Sequence, residues 1–309
     1  MFTQQLVNGL TLGLLYALIA VGYTMVYGVI GLINFAHGEV FMLGAFLCVG
    51  ALGLGLPLPL ACALSVGLCA AIGVAIEAVA YRPLRGAPRL AALITAIGMS
   101  IFLQNLALVI WGSRSRPFAR EAVPAFFSRA AVELGAVRVN WLQVIICLVS
   151  LSLMAGLHLF IARTRAGAAM RALAQNRVCA RLMGVSVNRV ISLTFALGSG
   201  LGAVAGILTA IHYNSMYPTM GYNAGVKAFA AAVLGGIGSV PGALLGGVVL
   251  GVAETLGAGY VSSPYRDGVA YAVLIAVIVL RPSGLLGPSG QSGRSGRSGR
   301  SGDSGRDKA

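Results

Sequence analysis

Apolar residues run along this chain in long blocks separated by short polar stretches. A bilayer-crossing helix needs about 20 predominantly apolar residues, and the blocks at about 6–30, 38–56, 59–80, 91–112, 141–163 and 190–213 meet that test. A last clear block covers about 267–280. The segment 225–258 is too long for one straight crossing and short for two. Its middle reads Leu234-Gly235-Gly236-Ile237-Gly238-Ser239-Val240-Pro241-Gly242. Such a stretch breaks a helix, so the pattern predicts two short helices joined by a broken or re-entrant turn. Irregular backbone survives at membrane depth only where protein buries it or where it lines a cavity. The same reasoning marks Gly31-Leu32-Ile33-Asn34-Phe35-Ala36-His37-Gly38-Glu39 after the first block. The expected fold class is an all-α polytopic membrane protein with about eight spans, broken or re-entrant helices included.

Composition agrees: 58% of the 309 residues are hydrophobic and 10% are charged, against roughly 25% charged in a soluble domain. The 43 glycines suit membrane helices, where small residues let backbones approach. A net charge of +14 raises nucleic acid as a partner, but a nucleic-acid site lines a soluble face with its basic residues. Here they sit in short loops and in the tail, which argues against nucleic acid and orients the helices instead, because basic loops stay cytoplasmic. Loop 81–90, and loop 164–189 with Arg165, Arg171, Arg177, Arg181 and Arg189, are therefore expected on the cytoplasmic side. Segments 113–140 and 214–224 then face outward and the C-terminus is cytoplasmic. Residues 1–287 form the membrane domain. Residues 288–309, with three successive Ser-Gly-Arg repeats, are expected to be disordered, as a dispensable extension or as a weak hold on anionic lipid headgroups.

Five cysteines, Cys48, Cys62, Cys69, Cys147 and Cys179, show no CxxC or Cys/His metal spacing and read as small apolar packing residues. The N-terminus lacks the basic region and cleavage site of a secretory signal, so it is expected to be retained. No nucleophile–base pair and no G-x-x-x-x-G-K-[ST] phosphate loop is present. The chain therefore offers no catalytic set, no cofactor site and no means of hydrolysing ATP by itself.

Gly198, Gly202 and Gly206 recur every fourth residue, as do Gly242 with Gly246 and Gly247 with Gly251. Each set makes a smooth helix face for a close neighbour. Ionisable groups within or beside the spans, Glu39, Glu77, Lys227, Glu254, His37 and His212, are functional or interfacial by default. Glu77, just before Arg82, is expected to pair with an arginine. His37 and Glu39 beside a Gly-flanked break read either as pathway-lining or as helix-start residues. Lys227 and Glu254, at opposite ends of the 225–258 unit, are read as structural groups able to snorkel.

Loop 164–189 is the most informative soluble segment. Met170, Leu173 and Ala174, then Cys179 and Leu182, can share one helix face, with Gly184 as the stop. From periodicity alone it is either an Ala-rich helix docked on a partner or a basic loop that only sets orientation. On the docking reading, Arg177 falls on the solvated side.

Asn8-Gly9-Leu10-Thr11-Leu12-Gly13, GYTMVYGVIGLINFAHGEVFMLGA at 22–45, VAYRPLR at 79–85, ALITAIGMSIFLQN at 92–105 and KAFAAAVLGGIGSVPGALLGG at 227–247 together resemble the LivH-type permease subunits of bacterial branched-chain amino acid ABC transporters. The resemblance runs from about residue 4 to 287. It implies a bacterial inner-membrane permease with a second homologous permease subunit, two cytoplasmic ATPase subunits and a periplasmic substrate-binding protein as partners. It also implies that 164–189 is the Ala-rich loop that docks on the ATPases, with Arg171, Leu173, Ala174 and Gly184 as its coupling residues. Asn176 stands where many members carry an acidic residue, so an ion pair there does not carry over. Asn34, His37, Glu39, Gly235, Gly236 and Gly238 become candidate pathway residues that line or gate the route. An ion-gradient-driven transporter or channel is the competing class, and urea or short amides are competing substrates.

Overall fold

A computed structural model describes residues 1–134, 137–260, 262–281 and 284–286. The expected disordered tail from 288 lies outside them. Nine helices build the membrane body among the described residues: α1 (Phe2–Ile30), α2 (His37–Gly53), α3 (Leu58–Ile76), α4 (Arg89–Trp111), α5 (Trp141–Arg163), α8 (Val187–Tyr213), α9 (Met220–Gly235), α10 (Val240–Tyr260) and α11 (Arg266–Leu280). Between α5 and α8 lie the short α6 (Arg165–Gln175) and α7 (Arg177–Leu182). Six helices, α1, α3, α4, α5, α8 and α10, are long and apolar enough to cross a membrane. The others, α2, α9 and α11, have 17, 16 and 15 residues. The protein is a multi-pass, all-α membrane protein. The single departure among the described residues is a hairpin in loop 113–140, β1 (Ala130–Leu134) with β2 (Val137–Asn140), paired antiparallel.

The element ends follow local chemistry. α1 stops at Gly31, which takes φ 68° and donates its N–H to Tyr27 O at 2.7 Å, a left-handed cap that glycine adopts without steric penalty. α5 starts with a capping box in which the Asn140 N–H donates to Gln143 Oε1 at 3.1 Å. α3 ends in a π-turn, Glu77–Tyr81. The hairpin of α9 and α10 turns at 236–239, with Gly236 and Gly238 at positive φ. The carbonyls of Leu234 and Gly235, left without helical partners, accept from the N–H groups of Leu285 and Leu286 at 2.9 and 3.0 Å.

Glycines set which helices touch. Gly9 and Gly13 of α1 meet the backbone of α10 at Gly251, Val252, Gly247 and Val248. Gly242 and Gly246, on another face of α10, meet α9 at Gly235 and Ala231. On α8, Gly198 faces Gly22 of α1, Gly202 faces the His37 ring, and Gly206 lies against the Phe41 carbonyl of α2. α1 is thereby the central helix of the bundle, enclosed by α5, α8, α9 and α10.

Tertiary contacts sort the loops into two ends. At one, Gln4 exchanges hydrogen bonds with the Arg138 backbone at 2.8 and 3.0 Å, and Arg116 pairs with Met216. At the other, Arg85 reaches Glu77 and Asn188, Arg177 reaches Ile30, and 284–286 closes on the α9–α10 turn. The arginine-rich loops thus share one end, opposite 113–140 and 214–224.

Candidate coupling surface and buried polar sites

At the arginine-rich end, loop 164–189 is helical, as one of its two readings expected, but it forms two helices and not one. Asn176 breaks it with φ −156° and ψ 113°, and its Oδ1 accepts from the Val178 and Cys179 N–H groups at 2.9 and 3.1 Å. It is the N-cap of α7, a role that aspartate performs equally well. Gly184, at φ 81°, ends α7: its N–H donates to Arg181 O and that of Val185 to Ala180 O, both at 3.0 Å, the pair of bonds that defines a Schellman stop.

The break divides the face read from periodicity. α6 packs against α1, α5 and α8, and Met170 and Leu173 are buried inside the subunit. Leu173 is thus a core residue of this chain and not a contact offered to a partner. The 3.6-residue pattern identifies an apolar face but not what covers it. Arg171 donates to the Ile161 carbonyl and anchors α6, while Ala174 is exposed. Arg177, read as solvated, is half-buried and donates to the Ile30 carbonyl at the end of α1. Its pKa lies below the ordinary guanidinium value through burial and, secondly, the nearby Arg85 charge. The apolar groups left open are on α7 and its cap: Val178 is 69% exposed, Leu182 81% and Met183 84%.

Beneath this surface, Glu77 is fully buried and paired with Arg82 at 3.4 Å and with Arg85, and it accepts from Ser192 Oγ at 2.8 Å. Carboxylate and guanidinium neutralise each other where neither is fully hydrated. The π-turn aims Tyr81 at the break after α1, where its hydroxyl donates to Asn34 Oδ1 at 3.0 Å.

Of the six candidate pathway residues, Asn34, His37, Glu39, Gly235 and Gly236 are buried within the subunit. Only Gly238 among them is exposed, and it lines a cavity of about 820 Å³ between α1, α5, α6 and the α9–α10 turn. Five of the six therefore sit in helix packing, not on an open channel wall. The His37 ring sits against Gly22 and Gly202, with the Tyr23 ring edge-on at 4.8 Å. Glu39 accepts from Ser100 Oγ at 3.1 Å. Glycine clustering signals a broken helix and close packing equally, and only the fold separates the two.

At the opposite end, Lys227 of α9 and Glu254 of α10 meet, because the hairpin brings the two ends of 225–258 together. Lys227 Nζ lies 2.8 Å from Glu254 Oε1 and 2.6 Å from Asp267 Oδ1, and Arg266 Nε lies 2.5 Å from the same Glu254 oxygen. These groups do not snorkel separately, as their sequence positions suggested; they form one network. Sequence reasoning missed Arg266 and Asp267, whose only signal was two charges abutting the last apolar block. No group of three or more His, Cys, Asp or Glu suited to hold a metal occurs among the described residues.

A glycine-packed bundle of apolar helices, with exposed apolar side chains on α7 at its arginine-rich end, defines a multi-pass membrane protein. The family model described as "Branched-chain amino acid transport system / permease component" matches residues 5–278, and the chain belongs to that family. It is 48% identical over 295 residues to the high-affinity branched-chain amino acid transport system permease protein BraD of Pseudomonas aeruginosa, spanning 93% of this chain and 96% of that protein. It is 47% identical over 299 residues to LivH of Escherichia coli K12, with the same coverage. The ribose import permease RbsC of E. coli K12 is a more distant relative, at 28% identity over 85% of this chain and 81% of RbsC.

Proposed function

We propose that this chain is the membrane permease subunit of an ATP-driven importer for branched-chain or other hydrophobic amino acids, in a bacterial inner membrane. The observation that carries the mechanism is the exposed trio Val178, Leu182 and Met183 at the arginine-rich end. Basic loops stay cytoplasmic, which puts the trio on the side where ATP is available. Water-exposed apolar groups clustered on a capped, positioned helix are a docking surface. The partners are a second permease subunit of similar fold, two cytoplasmic ATPases and a periplasmic binding protein. The permease performs no covalent chemistry. ATP binding in the partners moves α7, and α6, anchored on α1, α5 and α8, passes the displacement to the bundle as a shift between two packed states. The identities to BraD and LivH support the substrate class over sugars, urea or short amides.

The test is reconstitution of the complete complex in vesicles with ATP inside. Labelled leucine should enter only with ATP and the binding protein, and Leu182→Asp should lower substrate-stimulated ATPase activity at least tenfold with insertion unchanged. Burying a leucine contributes about 1.5–3 kcal/mol, and an unpaired carboxylate in its place adds a desolvation cost. Leucine accumulation by the lone chain along an ion gradient would replace this reading with that of a secondary transporter.

A further inference from the structure

We infer that the pocket at the outward end of α1, α9 and α10 is a receiving site for the zwitterionic backbone of a free apolar amino acid. The inference rests on the proposed function and adds the place where substrate first meets this subunit. The pocket holds about 390 Å³, within the roughly 300–1,000 Å³ of small-molecule sites. Ser215 and Tyr217, from the segment 214–224, stand at its rim, while Leu12, Leu15, Ile19 and Phe41 form an apolar wall. Lys227, Glu254 and Arg266 line it on the charged side.

The charge arrangement selects the ligand. Glu254 is fully buried, and its Oε1 is approached by Tyr16 Oη at 3.3 Å, Lys227 at 2.8 Å and Arg266 at 2.5 Å. Its Oε2, equally buried, has no hydrogen-bond partner among the described residues. A purely structural network would spread its donors over both oxygens, because an unsatisfied buried acceptor is costly. Arg266 has its Nε unaligned for a hydrogen bond, though close to Glu254, and its side chain is 36% exposed. A free acceptor oxygen beside a partly exposed guanidinium matches an ammonium and a carboxylate on adjacent atoms. Lys227, Arg266, Glu254 and Asp267 already balance to zero charge. A zwitterion enters without leaving net charge in a poorly hydrated site, whereas a lone cation or anion does not. On entry, a side-chain shift uncovers Glu254 Oε2 for the ammonium, while the carboxylate pairs with Arg266 and the apolar side chain lies against the Leu12–Phe41 wall.

Asn223 is exposed and lines this pocket, so Asn223→Cys reports occupancy with little risk to the fold. The complete complex in nanodiscs, without the binding protein, is labelled with a maleimide, and modification at position 223 is read by peptide mass. Leucine should slow modification at least threefold, while leucinamide and 4-methylpentanoate, each lacking one charge, should not. Added Glu254→Gln should abolish the protection, and Ala224→Phe, which fills a partly exposed wall, should do the same if the first variant fails to assemble. An unchanged rate with leucine, or equal protection by either half-charged analogue, overturns the inference. Uptake by the same complex with binding protein and ATP separates the two failures. Uptake without protection removes this site alone, and absence of both removes the functional reading with it.

Discussion

α1, α8 and α10 differ from α3, α4 and α5 in a way that reverses the rule for soluble proteins. In the first group 89%, 67% and 44% of the most apolar stretch is buried in the protein; in the second the values are 28%, 22% and 22%. Yet each helix of the second group is more hydropathic than any of the first. Lipid solvates an apolar side chain about as well as a protein interior does, so hydrophobicity does not draw a membrane helix inward. Close approach does. Gly9, Gly13, Gly247 and Gly251 let α1 and α10 touch backbone to backbone, whereas Gly98 of α4 and Gly156 of α5 have open space where a side chain would be.

Four substitutions test that contrast, in falling order of effect. Leu173→Asp places an unpaired carboxylate in the core, where desolvation costs several kcal/mol. Folded, monodisperse protein on size-exclusion chromatography should fall below a tenth of the original yield; normal yield would return Leu173 to a partner surface. Gly13→Leu comes next, because a Cβ there would stand 2.7 Å from Val248 Cα and 2.9 Å from Gly247 O. Backbone on the far side cannot rotate away, so the loss should reach or exceed the upper end of the usual overpacking cost of about 1–3 kcal/mol, read as a large drop in thermal midpoint in detergent.

Gly202→Leu should cost less than Gly13→Leu, within the same range of about 1–3 kcal/mol, since its Cβ meets the His37 ring at 3.3 Å and a ring can tilt. A midpoint matching the original protein would show that this face has room to spare. The smallest change runs the other way. Gly156→Ala, on a lipid-facing helix, removes a flexible residue worth about 0.5–1 kcal/mol of helix stability, and the midpoint should hold or rise slightly. A large loss there would mean that α5 is covered by a partner subunit.

Much of the local structure was legible. Gly184 stops α7 and Glu77 pairs with the arginines that follow it, each through contacts a few residues apart. The candidate site was less legible. Leu173 and Leu182 carry the same periodic signal, but Asn176 turns α7 away, so one is buried and the other exposed. His37 and Glu39, beside a glycine-flanked break, read as pathway or helix-start residues with equal force until the structure buried them against α8 and α9.

Block length, loop charge and the spacing of small residues determined by themselves that this chain crosses a membrane many times, which loops share an end, and which faces are smooth. Those properties depend on the bilayer thickness and on neighbours within a turn or two of helix, and both are written in order along the chain. Only the tertiary structure decided that Lys227, Glu254, Arg266 and Asp267 form one network and that Gly247 faces α1 while Gly246 faces α9. It also decided that α7, not α6, presents the open apolar surface. Pairings between residues tens to hundreds of positions apart depend on how the helices are arranged around α1, and in lipid that arrangement is chosen by shape and close contact, which hydropathy does not encode.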